Sequence, residues 1–286
     1  MNTVERPAQR LEEVKGPSAL SGGWHRFKEV LLLMAVMDFR AAYFGTRLGY
    51  LWSLLRPLFL FGILLFFFTK ILRLGSDVPF YPVMLLFNIV LFGYFQDSTS
   101  QGLQSVVSQE GIVRKAQFPR LAIPLAPVLT RLFNLALSMV VVLGFMVGFE
   151  VPFTWTWIFF PVIILAMTVF TAAVVTILAT LYVRFRDLAM IWSVFATGLF
   201  YATPILYPIN VVMDAYPQYV KFIFLNPMAP IFVEARKLLI DPSAPGALEA
   251  AGSWWPLLMS FAIYVGICAF AIWYFNREAP RVAERL

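Results

Sequence analysis

Six long windows nearly devoid of charge run through this chain, and no other feature limits its fold as strictly. An ionised side chain in mid-bilayer costs at least a few kcal/mol, and a crossing helix needs about 20 apolar residues. The windows fall at 51–72, 80–103, 126–149, 157–182, 189–207 and 254–275, each close to the length that the hydrocarbon thickness demands. With 60% of its 286 residues hydrophobic and 13% charged, the chain carries more apolar surface than a soluble core can hide. The sequence therefore predicts an all-α integral membrane protein with six transmembrane helices.

The residue inventory removes several function classes. One cysteine, Cys268, excludes a disulfide framework, and one histidine, His25, excludes His-cluster metal sites. The phosphate-cradling G-x-x-x-x-G-K-[ST] loop, G-x-G-x-x-G, H-E-x-x-H and G-x-S-x-G are all absent from the sequence. Any energy source is therefore expected outside this chain. The polar, mixed-sign stretch 1–23 lacks the apolar h-region of a secretory signal, so it is expected to remain as a cytoplasmic tail. The net charge of +6 sits beside apolar spans, which favours a juxtamembrane role over nucleic-acid binding.

Between tail and first span, residues 24–50 place Phe27, Leu31, Met34, Met37 and Tyr43 at helical intervals, with Arg26, Lys28, Arg40 and Arg47 among them. That pattern predicts an amphipathic helix at the membrane interface, or one packed on its own protein. The proline-marked segment 208–248 is too polar to cross and predicts short re-entrant or interfacial helices. Seventeen of the 22 basic residues, counting Arg56, lie inside if both termini are cytoplasmic. The positive-inside bias therefore favours that orientation, with residues 276–286 as a second cytoplasmic tail.

Four short constellations stand out. Arg47-Leu-Gly-Tyr-Leu-Trp52 with Arg56-Pro57 marks the start of the first span, where Gly49 permits close packing and Trp52 suits the interface; a plain membrane anchor is the alternative. The loop 105–124 holds Glu110, Arg114, Lys115, Gln117, Phe118, Pro119 and Arg120, closed by Pro119 and Pro124. It could form a rigid knob for a partner protein or simply an ordinary positive-inside loop. Arg184-Phe-Arg186-Asp187 makes a tight cytoplasmic turn, for which fixing topology is the simpler role. Leu225-Asn226-Pro227, with Glu234 and Arg236, reads as an outer gate or a solvated cap.

In this order, these pieces resemble the permease subunit of an ABC type-2 exporter of cell-surface polysaccharides, the group of O-antigen, capsule and teichoic-acid exporters. The likeness runs from about residue 24 to 276 and rests on Arg47 to Trp52 with Pro57, Gln117-Phe118-Pro119-Arg120 with Pro124, Arg186-Asp187, and Leu225-Asn226-Pro227. The resemblance implies a homodimer with a continuous channel, driven by two copies of a separate ATPase subunit that holds ATP and Mg; this chain itself carries no cofactor. It implies that 25–46 forms an interface helix over the ATPase and that Glu110 to Arg120 couples to it. It further implies that 208–240 is the outer gate.

A cargo of this class is a polymer, often carried on a polyprenyl diphosphate. Sugars stack on aromatic faces, so Tyr50, Trp52, Phe59, Tyr94, Phe95, Phe200 and Tyr201 are candidate channel-lining residues, with lipid-facing or packing roles as the alternative. Arg40, Arg47 and Arg56 are candidate ligands of the diphosphate at a portal that includes Trp52, because guanidinium forks grip phosphate oxygens. Competing readings are a drug or lipid exporter of the same architecture and a membrane-embedded glycosyl or acyl transferase. For the transferase, Asp38, Asp97 and Asp187 are the candidate carboxylates, yet they lie on separate segments.

Overall fold

The structure, a computed structural model, describes residues 23–43, 49, 51–72, 78–111 and 119–285. Among them every element is helical. In chain order these are α1 (Gly23–Tyr43), α2 (Leu51–Phe66) continued by a π-helical turn (Phe67–Ile71), α3 (Tyr81–Ser108) and α4 (Ala122–Gly148). A 3₁₀ turn (Trp155–Phe159) leads into α5 (Phe160–Tyr182), followed by α6 (Leu188–Ala202). Short helices α7 (Ile209–Ala215), α8 (Pro217–Ile223), α9 (Ala229–Leu239) and α10 (Ala247–Ala251) precede the long α11 (Trp254–Arg285).

Four of these segments are long and apolar enough to cross a membrane: Leu51–Ile71, Ala122–Gly148, Trp155–Tyr182 and Trp254–Glu278. Helix α3 has the length, but Asn88, Gln96, Asp97, Ser98 and Thr99 dilute its apolar character. Helix α6 is apolar but only 15 residues long. It ends at Ala202 rather than at the expected 207, because Thr203 before Pro204 takes an extended conformation (φ −90°, ψ 143°).

Helix α3 lies at the centre, packed between α4 and α5, with Phe87, Leu91, Phe92 and Phe95 fully enclosed. Phe95 stacks on Phe170 of α5 at 5.9 Å and meets Trp192 of α6 edge-on. Several polar groups of α3 find partners on other elements. Tyr81 Oη donates to the Leu206 carbonyl at 2.8 Å, and Asn88 Nδ2 reaches the carbonyls of Pro204 and Ile205 at 3.3 and 3.2 Å. Trp192 Nε1 donates to Thr99 Oγ1 at 3.0 Å. The Tyr81 and Asn88 bonds fix the bend after α6 against α3 and bring donors to carbonyls that no helix satisfies.

Several boundaries depart from expectation for identifiable reasons. Helix α4 starts at Ala122 rather than 126, since Pro124 occupies its first turn, where no intrahelical amide bond is lost. Pro119 precedes it, and its carbonyl accepts from Ala122 N at 2.9 Å. Helix α4 closes with Glu150 N and Val151 N bonded back to Val147 and Met146, Glu150 taking the left-handed conformation (φ 56°) that usually falls to glycine. Gly49 also has positive φ (51°), and a side chain there would meet open space. It serves a turn before α2, and within the protomer no described residue packs closely on it. Gly144 and Gly148 likewise face open space within the protomer.

Helix α1 packs one face on its own protein and leaves apolar residues open on the other. Phe27 and Ala35 are buried and Met34 packs on Val106, Ile123 and Ala179, while Trp24, Leu32, Leu33 and Met37 stay exposed. It lies on α4, where Thr130 Oγ1 donates to the Ala35 carbonyl at 3.2 Å. Half-buried on α1, the Asp38 carboxyl is raised above its ordinary pKa by desolvation.

Among the described glycines the closest approach is at Gly102 of α3, where any β-carbon would collide with the γ-methyls of Val175 on α5. Gly102→Ala is expected to lower stability by about 1–3 kcal/mol through overpacking. Adding Val175→Ala should recover most of that loss, and thermal unfolding of both variants in detergent checks it.

Candidate functional site

A cavity of about 480 Å³ opens between α2, α3, α4 and the end of α6. Helical spacing builds its walls. Trp52 and Arg56 stand one turn apart on α2, Gly93 and Asp97 one turn apart on α3, and Arg131, Leu135 and Ser138 share a face of α4. Phe200 closes it from α6, in edge contact with Phe92 at 5.3 Å.

Its charges converge on one carboxylate. Arg56 Nη1 lies 3.5 Å from Asp97 Oδ1, and Arg131 Nη1 lies 4.0 Å from Asp97 Oδ2. Gln101, one turn beyond Asp97, accepts from Arg131 Nε at 3.0 Å and aims that guanidinium along α3. Three charges from three helices thus meet beside an aromatic wall containing Trp52, Tyr94 and Phe200. Such a surface can hold an anion and stack a ring at once.

The structure sorts the residues singled out from sequence. Trp52, Arg56, Tyr94 and Phe200 line the cavity together. Phe95 does not; it is fully buried on the opposite side of α3 and is a packing residue, because only one face of that helix borders the cavity. Phe59 and Tyr201 project from α2 and α6 with 64% and 63% of their surface open. Arg40 lies in the last turn of α1, away from the cavity. Arg47, Tyr50, Arg114, Lys115, Gln117 and Phe118 lie outside the described residues. Glu110 follows α3, whereas Pro119 and Arg120 are buried at the start of α4, where desolvation draws the Arg120 guanidinium below its usual range.

The outer candidates form a bonded cluster rather than a solvated cap. Asn226 Nδ2 donates to Thr203 Oγ1 at 2.8 Å, while its Oδ1 accepts from Met228 N at 3.0 Å and turns the chain through Pro227 into α9. Glu234 Oε1 accepts from Ala247 N at 2.7 Å. Arg236, 4% exposed, donates from Nη1 to Asn210 at 2.8 Å and from Nη2 to Asp241 at 3.2 Å. Asp241 in turn accepts from Ser243 N and Oγ. Burial pulls the Arg236 guanidinium downward in pKa and Asp241 opposes that pull. Among the described residues no cluster of His, Cys, Asp or Glu could hold a metal ion.

Sequence reasoning singled out Asp97 only as a candidate transferase carboxylate and missed Gln101, Arg131, Asn210 and Asp241 as site members. For Asp97 and Arg131 a signal existed: each is an ionisable residue inside an apolar window, a position that demands a partner.

Compared with known proteins, residues 29–240 match the family model of the ABC-2 type transporter. The chain belongs to the ABC-2 type transporter family. It is 28% identical over 264 residues to an "O-antigen export system permease protein RfbA" of Myxococcus xanthus, covering 92% of this chain and 97% of that relative. A protein of the same name from Klebsiella pneumoniae is 30% identical over 215 residues, covering 74% of this chain and 81% of that one. As an ABC-2 family member the chain is a multi-pass membrane subunit of a transporter, with ATP hydrolysis in a separate partner subunit.

The Arg236–Asp241 pair carries a clear expectation. Asp241→Asn leaves a buried guanidinium uncompensated and should cost about 3–5 kcal/mol. Lys237→Ala, at the more exposed Lys237–Glu249 pair (3.6 Å), should change stability little. Thermal unfolding of the two purified variants compares them.

Proposed function

We propose that this ABC-2 permease exports an O-antigen-type polysaccharide, presented on a polyprenyl diphosphate, across the cytoplasmic membrane. The observation that carries the reading is the near full-length alignment with a relative named as an O-antigen export permease. The cavity supports it chemically. Aromatic rings at Trp52, Tyr94 and Phe200 suit sugar faces, and the guanidiniums of Arg56 and Arg131 suit an anionic headgroup.

In this reading two copies of the chain pair and associate with two ATPase subunits. The surface leaves room for that: only 6% of the most apolar window of Leu51–Ile71, and 11% of that of Trp254–Glu278, is buried within the protomer. Such apolar faces require lipid or a second copy as cover. Helices α3 and α6 join the four clear spans as fifth and sixth crossings, with α1 at the inner interface and both termini cytoplasmic. The short helices α7 to α10 then form the outer gate. The lysine and arginine bias of the sequence supports this orientation.

Energy enters through Glu110 to Arg120, the segment joining α3 to α4 at the end facing α1. Because α3 borders the cavity and α4 carries Arg131, movement of that segment acts on two walls of the site. Charge reversal at Arg114 and Lys115 should abolish export while leaving the assembly of permease and ATPase intact. Surface polysaccharide on a deletion strain, complemented with wild-type or variant chain, measures export, and co-purification with the ATPase measures assembly. Normal surface polymer in the deletion strain, or glycan-insensitive ATPase activity of the purified complex, would replace the polysaccharide with a drug or lipid cargo.

A further inference from the structure

The contacts of Asp97 are unusual for a carboxylate held between two arginines. Tight guanidinium–carboxylate bonds run at about 2.7–2.9 Å and are commonly bidentate, whereas here the closest approaches are 3.5 and 4.0 Å, one oxygen to each arginine. One negative charge is shared by two positive ones, so the cluster keeps an excess of one positive charge. Arg131 also lies inside the apolar window 126–149, at a depth of about 8 Å from its start at 1.5 Å per residue. A purely structural bridge at that depth would gain from short contacts, because loosely paired charges there are costly.

The surroundings supply what an incoming ligand would need. The cluster borders the 480 Å³ cavity, Gln101 holds Arg131 by its Nε and leaves its outer nitrogens turned to the carboxylate, and the Trp52 ring stands one turn from Arg56. With its side chain 26% exposed, Arg131 is the fixed member, while Arg56, 78% exposed, is the adaptable one.

We propose that Asp97 is a displaceable counter-ion: the Arg56–Asp97–Arg131 cluster is a binding site for the phosphate of a sugar-bearing lipid, and Asp97 occupies it when no cargo is bound. Phosphate oxygens replace the carboxylate on both guanidiniums, and the attached sugar lies against Trp52. No bond is made or broken. The inference rests on the export reading given above, which already gives Arg56 and Arg131 to the anionic headgroup, and adds to it Asp97 as the competitor of the phosphate. A polyprenyl diphosphate and a glycerophospholipid offer the same phosphate chemistry, and they differ in the sugar and in the isoprenoid chain.

The test uses the permease–ATPase complex in nanodiscs of phosphatidylcholine, titrated with undecaprenyl diphosphate N-acetylglucosamine, with undecaprenol and with phosphatidylglycerol. The glycan lipid should bind, Arg131→Gln should weaken it about tenfold, and Asp97→Asn should tighten it about tenfold, since charge-assisted bonds are worth at least that factor. Arg131→Lys should retain part of the binding, and undecaprenol should be insensitive to every substitution. Opposite signs for Arg131→Gln and Asp97→Asn distinguish competition from scaffolding, because damage to a scaffold weakens binding in both. Parallel losses, or no change in either, overturn the proposal. Equal affinity and equal Arg131 dependence for phosphatidylglycerol would make this a site for bulk lipid headgroups and overturn the assignment to sugar-bearing lipid. Loss of surface polymer in the deletion strain would stand in either case, so failure of this site and failure of the export reading remain separable.

Discussion

The polar side chains of α3 have to be satisfied in an interior that excludes water, and the placement of its neighbours follows from that. Asn88 and Tyr81 take carbonyls from the segment Pro204 to Leu206, which are available because Pro204 stops α6. Thr99 takes the indole of Trp192, which ties the other end of α6 to the same helix. Asp97 takes two arginines, one each from α2 and α4. A uniformly apolar α3 could slide or rotate among its neighbours at little cost, since lipid and leucine side chains are equivalent in apolar surroundings. Directional bonds at three heights along α3 remove that freedom.

The same principle governs the cluster of short helices α7 to α10. Helices of 7, 7, 11 and 5 residues are too short to be stable alone. Their order comes from Phe224, Val233, Ile209 and Ala250 packed into a second apolar cluster, with Arg236 drawing Asn210 and Asp241 together beneath it. Ser260 Oγ donates to the Phe224 carbonyl and ties the cluster to α11. Where short helices cannot be held by length, buried ionic and amide bonds set their mutual positions.

Much of the fold was legible in the sequence, because the cost of charge in lipid writes itself into long apolar windows. The starts of α2, at Leu51, and of α11, at Trp254, fall on the first residues of their windows. What local pattern could not supply was the meaning of a residue whose partner lies far along the chain. Arg236 reads as an exposed outer cation until Asp241 and Asn210 are seen to enclose it. Phe95 and Tyr94 are neighbours in sequence, yet the 100° step between them places one in the core and the other at the cavity. Asp97 looked like an isolated acid because its two arginines lie 41 residues before it and 34 after it.

That separation also explains why the cavity exists where it does. Helix α2 is the least buried of the long apolar helices, so few side chains fill the space between it and α3. Phe61 meets Phe145 edge-on at 5.5 Å and fixes α2 to α4 toward one end, while Arg56 reaches Asp97 toward the other. Together with Leu58, Leu64, Leu65 and Phe68 packed on the core, these contacts hold one face of α2, while Phe59, Ile63 and Phe66 on its other face stay exposed. Pro57 lines the cavity beside Arg56 and costs α2 a backbone bond. Filling the gap with large apolar residues would stabilise the protomer and leave no cavity to line with rings and charges. The loosely packed α2 wall and the stretched Asp97 contacts are thus two aspects of one compromise between stability and an open site.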